Sequence, residues 1–262
     1  MITKEHRRFA ELADACRRER YIGICYGPPG VGKTLSARHY AAWDQLESWL
    51  DRRLLTDDEA LAPDVLEHAR TVLYTPAVGI TPSRIYHEVQ QLGRRFDIAI
   101  DECLHPTREV FRDPPEHSRV ELLIIDEADR IKTTALEALR DFFDRRRIGL
   151  ILIGMPGLEK RLARYPQLYS RIGFAHQYRP LSADELRFVL VHHWRTLGLE
   201  LADKDFTDTE AIATVARITN GNFRLVNRLF AQIKRVLEIN NLTTITREVI
   251  ETAREGLVIG QP

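Results

Sequence analysis

The chain has 262 residues, enough for one large domain or two small ones, and 44% of them are hydrophobic, which suffices for a core. Lysine and arginine together number 38, as do aspartate and glutamate, so net charge predicts no general attraction to nucleic acid. The three cysteines have neither metal nor redox spacing. The N-terminus is polar and no apolar run reaches the length of a membrane span, so we expect a cytoplasmic protein.

A phosphate-binding loop follows the first two predicted elements. Helical spacing of apolar residues predicts a helix over 3–20, whose arginines we interpret as a solvated face, with a subunit contact as the alternative. An apolar run over 21–26 predicts a strand, and a helix-prone run covers 33–43. Between them lies G-x-x-x-x-G-K-T, formed by Gly27, Pro28, Pro29, Gly30, Val31, Gly32, Lys33 and Thr34.

This order of strand, loop and helix predicts a nucleoside triphosphate site. Its glycines let backbone N–H groups face phosphate oxygens, and the N-terminus of the next helix adds a partial positive charge. Lys33 is expected to reach the β- and γ-phosphates. The hydroxyl of Thr34 is expected to bind Mg²⁺.

Two apolar runs compete to be the strand that carries the acidic residues. Before them, we predict a helical extension over 44–70, a strand over 71–75 and an amphipathic helix over 83–95. The first candidate run ends in Asp101 and Glu102, and the second, 122–125, ends in Asp126 and Glu127. We prefer the second run as the strand, because it is uninterrupted and another helix and strand follow it in βαβ order. Since the first run is not that strand, Asp101 and Glu102 are expected on a surface segment.

The two carboxylates after the second run complete a hydrolytic site. Asp126 is expected to support the hydration shell of Mg²⁺. Glu127 is expected to orient or deprotonate the attacking water.

The rest of the chain divides into an α/β part and a helical part. We predict a helix over 132–147 capped by Thr133, a strand over 148–154, a short helix over 158–164 and a last strand over 174–178. Ser182 and Glu185 form a capping-box pattern, and only helices follow, over 208–218, 223–239 and 246–255. The predicted domains are therefore an N-terminal helix (1–20), an α/β domain (21–180) and a helical lid (181–262).

The motifs together resemble the AAA+ ATPases. That resemblance implies an α/β fold with a parallel sheet flanked by helices, a small all-helical C-terminal lid, and the cofactors ATP and Mg²⁺. Within AAA+, four stretches are similar to the DNA-transposition regulators, the group of Mu B, TnsC and TniB. The stretches are Tyr74-Thr75-Pro76, 121–132, 152–158 and 164–173.

The resemblance implies further roles at matching positions. Arg171 matches the arginine finger that reaches the γ-phosphate of a neighbouring subunit, with Arg164 as the alternative. Arg224, in Gly221-Asn222-Phe223-Arg224, matches the second sensor of the lid and is expected to touch the γ-phosphate in the same chain. One departure is that Gly154-Met155-Pro156 stands where the first sensor is usually polar. Slow hydrolysis is therefore expected.

The resemblance also implies partners. ATP-bound subunits are expected to self-associate into a ring or helical filament around double-stranded DNA, largely without sequence preference, and to recruit or activate a transposase. The alternatives are a helicase-loader or initiator-like ATPase, and a signalling or secretion ATPase that does not bind DNA. The candidate DNA-contacting residues are Thr81, Ser83, Arg84, Arg94, Arg95 and Lys132.

Overall fold

The computed structural model describes residues 2–55, 64–104, 118–199, 201 and 206–257. Its strands are β1 (Ile22–Tyr26), β2 (Thr71–Tyr74), β3 (Leu122–Ile125), β4 (Gly149–Gly154) and β5 (Ile172–Gln177). Its α-helices are α1 (Lys4–Glu19), α2 (Lys33–Tyr40), α3 (Trp43–Leu55), α4 (Pro82–Leu104), α5 (Thr133–Arg146), α6 (Leu158–Leu162), α7 (Pro166–Tyr169), α8 (Ala183–Thr196), α9 (Phe206–Thr219), α10 (Phe223–Asn240) and α11 (Arg247–Glu255).

The chain forms two compact units. The sheet unit contains residues 6–27 and 33–178, and the helical unit contains residues 1–5, 28–32 and 179–262. The tip of the phosphate loop, 28–32, therefore belongs to the helical unit, while Lys33 belongs to the sheet unit.

The sheet unit is built on five parallel strands in the order β2-β3-β4-β1-β5. The central strands β3 and β4 are buried along their whole length, which explains their unbroken apolar sequences. Because β1 and β3 both neighbour β4, the loop after β1 and the carboxylates after β3 emerge at the same, carboxyl edge of the sheet.

Two predictions for the sheet unit are wrong. The run before Asp101 is helical, because α4 continues to Leu104 and buries Ile85, Val89 and Ile100 at helical spacing. Asp101 is also 2% exposed, with its carboxylate 3.8 Å from the guanidinium of Arg119, so it does not lie on the surface.

The second error concerns the start of α5. Lys132 occupies the N-cap position, and Thr133 is the first helical residue. The Thr133 hydroxyl instead forms a 2.6 Å hydrogen bond with the hydroxyl of Tyr165. The predicted helical extension over 44–70 is present as α3, but its residues 56–63 lie outside the described part of the chain.

The helical unit has a core of its own. Helices α8 to α11 bury an apolar cluster centred on Trp194, Leu229 and Ile233. The predicted capping box is confirmed: the hydroxyl of Ser182 accepts a hydrogen bond from the Glu185 backbone N–H, and the Glu185 carboxylate accepts one from the Ser182 N–H. Within the described residues, no helix of either unit is long and apolar enough to cross a membrane.

Candidate nucleotide-binding site

Lys33 and Thr34 are placed by the first turn of α2. Lys33 is 9% exposed, and its Nζ donates a 2.6 Å hydrogen bond to the backbone carbonyl of Gly27. The hydroxyl of Thr34 donates a 2.7 Å hydrogen bond to Oδ2 of Asp126 at the end of β3. The lysine, the hydroxyl and the first carboxylate therefore meet at the carboxyl edge of the sheet, as their sequence motifs predict.

Asp126 and Thr34 together suit a magnesium ion. Asp126 is 5% exposed and its other oxygen, Oδ1, accepts a 2.8 Å hydrogen bond from the Glu127 backbone N–H, so the carboxylate has a fixed direction. A hydroxyl and a carboxylate are hard oxygen donors, and Mg²⁺ bound beside phosphates commonly uses one or two such groups and several waters. The donor set fits Mg²⁺.

Glu127 is held by a tight turn. Its backbone is left-handed, with φ 52°, and it precedes a 3₁₀ turn over Ala128–Arg130. Nη2 of Arg130 forms an ion pair with Oε2 of Glu127. Nη1 of Arg130 donates a 3.4 Å hydrogen bond to the carbonyl of Pro76, in the loop after β2. The arginine thus connects the predicted catalytic carboxylate to that loop.

The turn also explains why Gly154 is not polar. Oδ2 of Asp129 accepts a 2.7 Å hydrogen bond from the backbone N–H of Met155. A Cβ atom on Gly154 would lie 2.6 Å from this oxygen and 2.7 Å from Cδ2 of Leu158, so any side chain there would displace both of these groups. The polar group beside the end of β4 is therefore the Asp129 carboxylate.

Arg161 secures the turn from the other side. Its guanidinium donates hydrogen bonds to the carbonyls of Asp129, at 3.1 Å, and Ala128, at 3.0 Å. The sequence motifs do not predict the contacts of Arg161 or Asp129, because their partners are backbone groups distant in sequence. The one sequence feature that points to Asp129 is its position three residues after Asp126, in Asp-Glu-Ala-Asp-Arg.

The tip of the phosphate loop is held within the helical unit. Gly30 and Gly32 have left-handed backbones, with φ of 78° and 115°, which explains why glycine stands at these two positions. The side-chain amide of Asn222 donates a 2.9 Å hydrogen bond to the Pro29 carbonyl, and the backbone N–H of Arg224 donates one of 2.9 Å to the Gly30 carbonyl. The Arg224 side chain is exposed.

The two arginine-finger candidates have different surroundings. The guanidinium of Arg171 forms two hydrogen bonds with the carboxylate of Asp144, at 2.6 and 2.8 Å, and another with the Gln167 carbonyl. Its pKa is raised, chiefly by the hydrogen bond to Asp144. Arg164 is exposed, and among the described residues we find no ion pair for its side chain.

The six candidate DNA-contacting residues do not form one cluster. Thr81, Ser83 and Arg84 are exposed at the start of α4, where the Thr81 hydroxyl accepts a 3.3 Å hydrogen bond from the Arg84 backbone N–H. Arg94 and Arg95 lie about 15 Å further along this helix. Arg95 faces Asp51 of α3 at 3.4 Å. Lys132 is exposed at the start of α5.

The parallel sheet and its loop define a P-loop nucleotide-binding protein. Residues 16–162 match the family model described as AAA domain. A Staphylococcus aureus "Potential ATP-binding protein" is 46% identical over 264 residues, covering 98% of this chain and 96% of that protein. The chain therefore belongs to the AAA family and is an ATPase.

Solved structures share the fold. The Thermotoga maritima RuvB Holliday junction branch migration motor has a TM-score of 0.61 and 18% identity, over 99% of this chain and 71% of that one. The Aeropyrum pernix ORC2 protein, in ADPNP–ADP complexes, has a TM-score of 0.58 and 14% identity, over 96% of this chain and 66% of that one. At such low identity these likenesses establish the AAA+ fold alone.

Proposed function

We propose that the chain is an ATP-dependent, DNA-binding regulator of transposition that oligomerises on target DNA and recruits or activates a transposase. The observation that carries this proposal is the sequence resemblance of four stretches to the transposition regulators. The hydrogen bonds of Lys33 to Gly27 and of Thr34 to Asp126 support the ATP-dependent part of the proposal. The shared fold with the RuvB Holliday junction branch migration motor is consistent with a DNA-related role.

In the proposed reaction, water attacks the γ-phosphorus of ATP and the bond to the β–γ bridging oxygen breaks, giving ADP and phosphate. Lys33 leaves the Gly27 carbonyl to neutralise charge on the β- and γ-phosphates. Glu127 orients the water and accepts its proton. Thr34, and Asp126 through the hydration shell, would hold Mg²⁺, which would supply positive charge at the phosphate oxygens.

DNA is proposed to bind at the loop after β2 and the start of α4. Val78 is 82% exposed in this loop, and Thr81, Ser83 and Arg84 are exposed just beyond it. Arg84 forms a 2.6 Å ion pair with Glu88, one turn further along α4, so its guanidinium must leave this exposed pair to contact a phosphate. Because each subunit of an oligomer repeats these groups, a neutral chain can still present a row of phosphate contacts.

The experiment is assembly on duplex DNA with a non-hydrolysable ATP analogue, followed by gel shift and electron microscopy at increasing salt. We expect ring or filament assemblies that require the analogue and weaken steeply with salt. Lys33→Ala should abolish them, because the loop then lacks its phosphate-binding cation. Unchanged assembly by Lys33→Ala would refute ATP-dependent assembly.

The alternative functions predict different outcomes of the same experiment. Absence of salt-dependent duplex binding would favour a signalling or secretion ATPase. ATP-dependent DNA binding without any effect on a transposase, but with loading of a helicase, would favour a helicase loader or initiator-like ATPase.

As the arginine finger we propose Arg164 in preference to Arg171. Arg224 is proposed as the second sensor, which acts in the same chain. Arg171 must give up a two-pronged contact with Asp144 before it could reach a neighbour, whereas Arg164 already faces solvent. The test compares Arg164→Ala with Arg171→Ala by the rise in ATP turnover on assembly. Loss of that rise in Arg171→Ala alone would restore Arg171 as the finger.

A further inference from the structure

Asn222 makes two separate contacts with its one side chain. Its Oδ1 accepts a 3.1 Å hydrogen bond from the Leu225 backbone N–H, which caps the start of α10. Its Nδ2 donates a 2.9 Å hydrogen bond to the carbonyl of Pro29, at the tip of the phosphate loop. The first contact fixes which end of the amide is oxygen, so the second requires the amide nitrogen.

Neighbouring backbone contacts tighten this junction. Arg224 N–H donates to the Gly30 carbonyl at 2.9 Å, so the first turn of α10 satisfies two consecutive carbonyls of the loop. A Cβ on Gly30 would lie 2.6 Å from Oδ1 of Asn222. The loop can therefore lie this close to Asn222 only if residue 30 is glycine. All of these residues belong to the helical unit.

We propose that Asn222 is a positioning residue that couples the conformation of the phosphate-loop tip to the start of α10. Phosphate binding requires the loop N–H groups to point inward, and each peptide plane carries its carbonyl to the opposite side. The amide of Asn222 holds one of those carbonyls. A change in the loop on ATP binding is therefore passed to the helix whose first turn carries Arg224.

Two substitutions separate the two contacts of Asn222. In Asn222→Ser, a hydroxyl keeps the helix cap but lacks the reach and the amide donor for the Pro29 carbonyl. In Asn222→Asp, the carboxylate also caps the helix but cannot donate. The matched control is Asn240→Ser, at the far end of α10, where the amide donates to a carbonyl of its own helix, that of Val236, at 2.8 Å.

The measurements are ATP-analogue affinity, steady-state kinetics, and hydrogen exchange of residues 223–229 with and without saturating analogue. We expect Asn222→Ser to weaken nucleotide affinity and raise KM by about three- to tenfold, the worth of one net hydrogen bond, with kcat changed less. We also expect the analogue to slow exchange at 223–229 in the natural chain and in Asn240→Ser. That response should fall by more than half in Asn222→Ser and Asn222→Asp.

The control variant and the melting temperature separate a loss of the Pro29 contact from a general loss of stability. Asn222→Ser should keep its melting temperature because its cap remains, and Asn222→Asp provides the same test should Asn222→Ser be unstable. Affinity and exchange responses equal to those of the natural chain, or an equal loss in Asn240→Ser, would overturn the proposal. The inference rests on ATP binding and uses no DNA, so its failure leaves the transposition proposal standing.

Discussion

At the scale of single residues, Glu127 is restrained before any reaction begins. Its carboxylate is paired with Arg130, whose other nitrogen reaches the Pro76 carbonyl. The ion pair directs the carboxylate towards Arg130, so the carboxylate is not free to orient the attacking water. The pair is therefore expected to lower turnover while it is formed.

Arg130→Ala is accordingly expected to raise DNA-independent ATP turnover. We expect a rise of about three- to fivefold, the range set by a partly exposed ion pair, with unchanged nucleotide affinity. Steady-state turnover checks this, with Arg145→Ala as control, because Arg145 forms an exposed pair with Asp141 on α5. A fall in turnover would show that Arg130 assists the reaction instead.

Cys16 illustrates a residue whose environment suppresses its chemistry. Burial in α1 raises the pKa of its thiol to about 12, so the reactive thiolate is scarce at neutral pH. At pH 8 we expect iodoacetamide to modify Cys103, which is half-buried, much faster than Cys16. Peptide mass spectrometry gives the two rates, and similar rates would contradict the protected position of Cys16.

At the scale of elements, α8 and α10 join through His193. Its ring stacks on Phe230 at 4.5 Å, and its Nε2 hydrogen-bonds to Oδ1 of Asn227 at 3.0 Å. Burial lowers the pKa of His193, with a smaller lowering from His192, against the opposing effect of Asn227. The folded helical unit therefore binds protons less readily at this position than the unfolded chain does.

Acid should consequently destabilise the helical unit. Below the unfolded pKa of about 6.5 the unfolded chain takes up a proton that folded His193 resists, so stability falls as pH falls through that value. We expect the urea midpoint to drop between pH 7.5 and 5.5, and to drop less in His193→Gln. Equal pH dependence in the two proteins would assign the effect to other groups.

Only part of helix α4 is predictable from the local sequence. Its first part was predicted from helical spacing, but Ile98-Ala99-Ile100 resembles a strand when read locally. Tertiary packing decides the matter, because Phe96 and Ile100 extend the buried face begun by Ile85. The partner that accompanies buried Asp101 is Arg119, which no short-range pattern could identify.

At the scale of the whole molecule, the AAA+ fold and the ATP motifs were predictable because each depends on contiguous sequence. The unbroken apolar runs predict the buried strands of the sheet. The phosphate loop and the paired carboxylates mark the edge at which those strands end. The contacts of Asn222, Arg130 and Arg161 were not predictable. Each is a side chain bonded to a backbone carbonyl, and a carbonyl gives no sequence signal.

ATP binding should stabilise the whole chain. A ligand at about one hundred times its Kd adds about 2.7 kcal/mol to the free energy of unfolding. Differential scanning calorimetry should therefore show a higher melting temperature with Mg²⁺ and a non-hydrolysable analogue. Lys33→Ala should show little or no shift, and a full shift in that variant would contradict the role of Lys33.

The assignment of residues 28–32 to the helical unit limits how this protein could be divided. The chain leaves the sheet unit after Gly27 and returns to it at Lys33. A fragment ending at Tyr178 would keep Lys33, Thr34 and Asp126, but the carbonyls of Pro29 and Gly30 would lose Asn222 and Arg224. Such a fragment is therefore expected to bind nucleotide more weakly than the full chain, and recombination between relatives should keep residues 28–32 and 219–225 together.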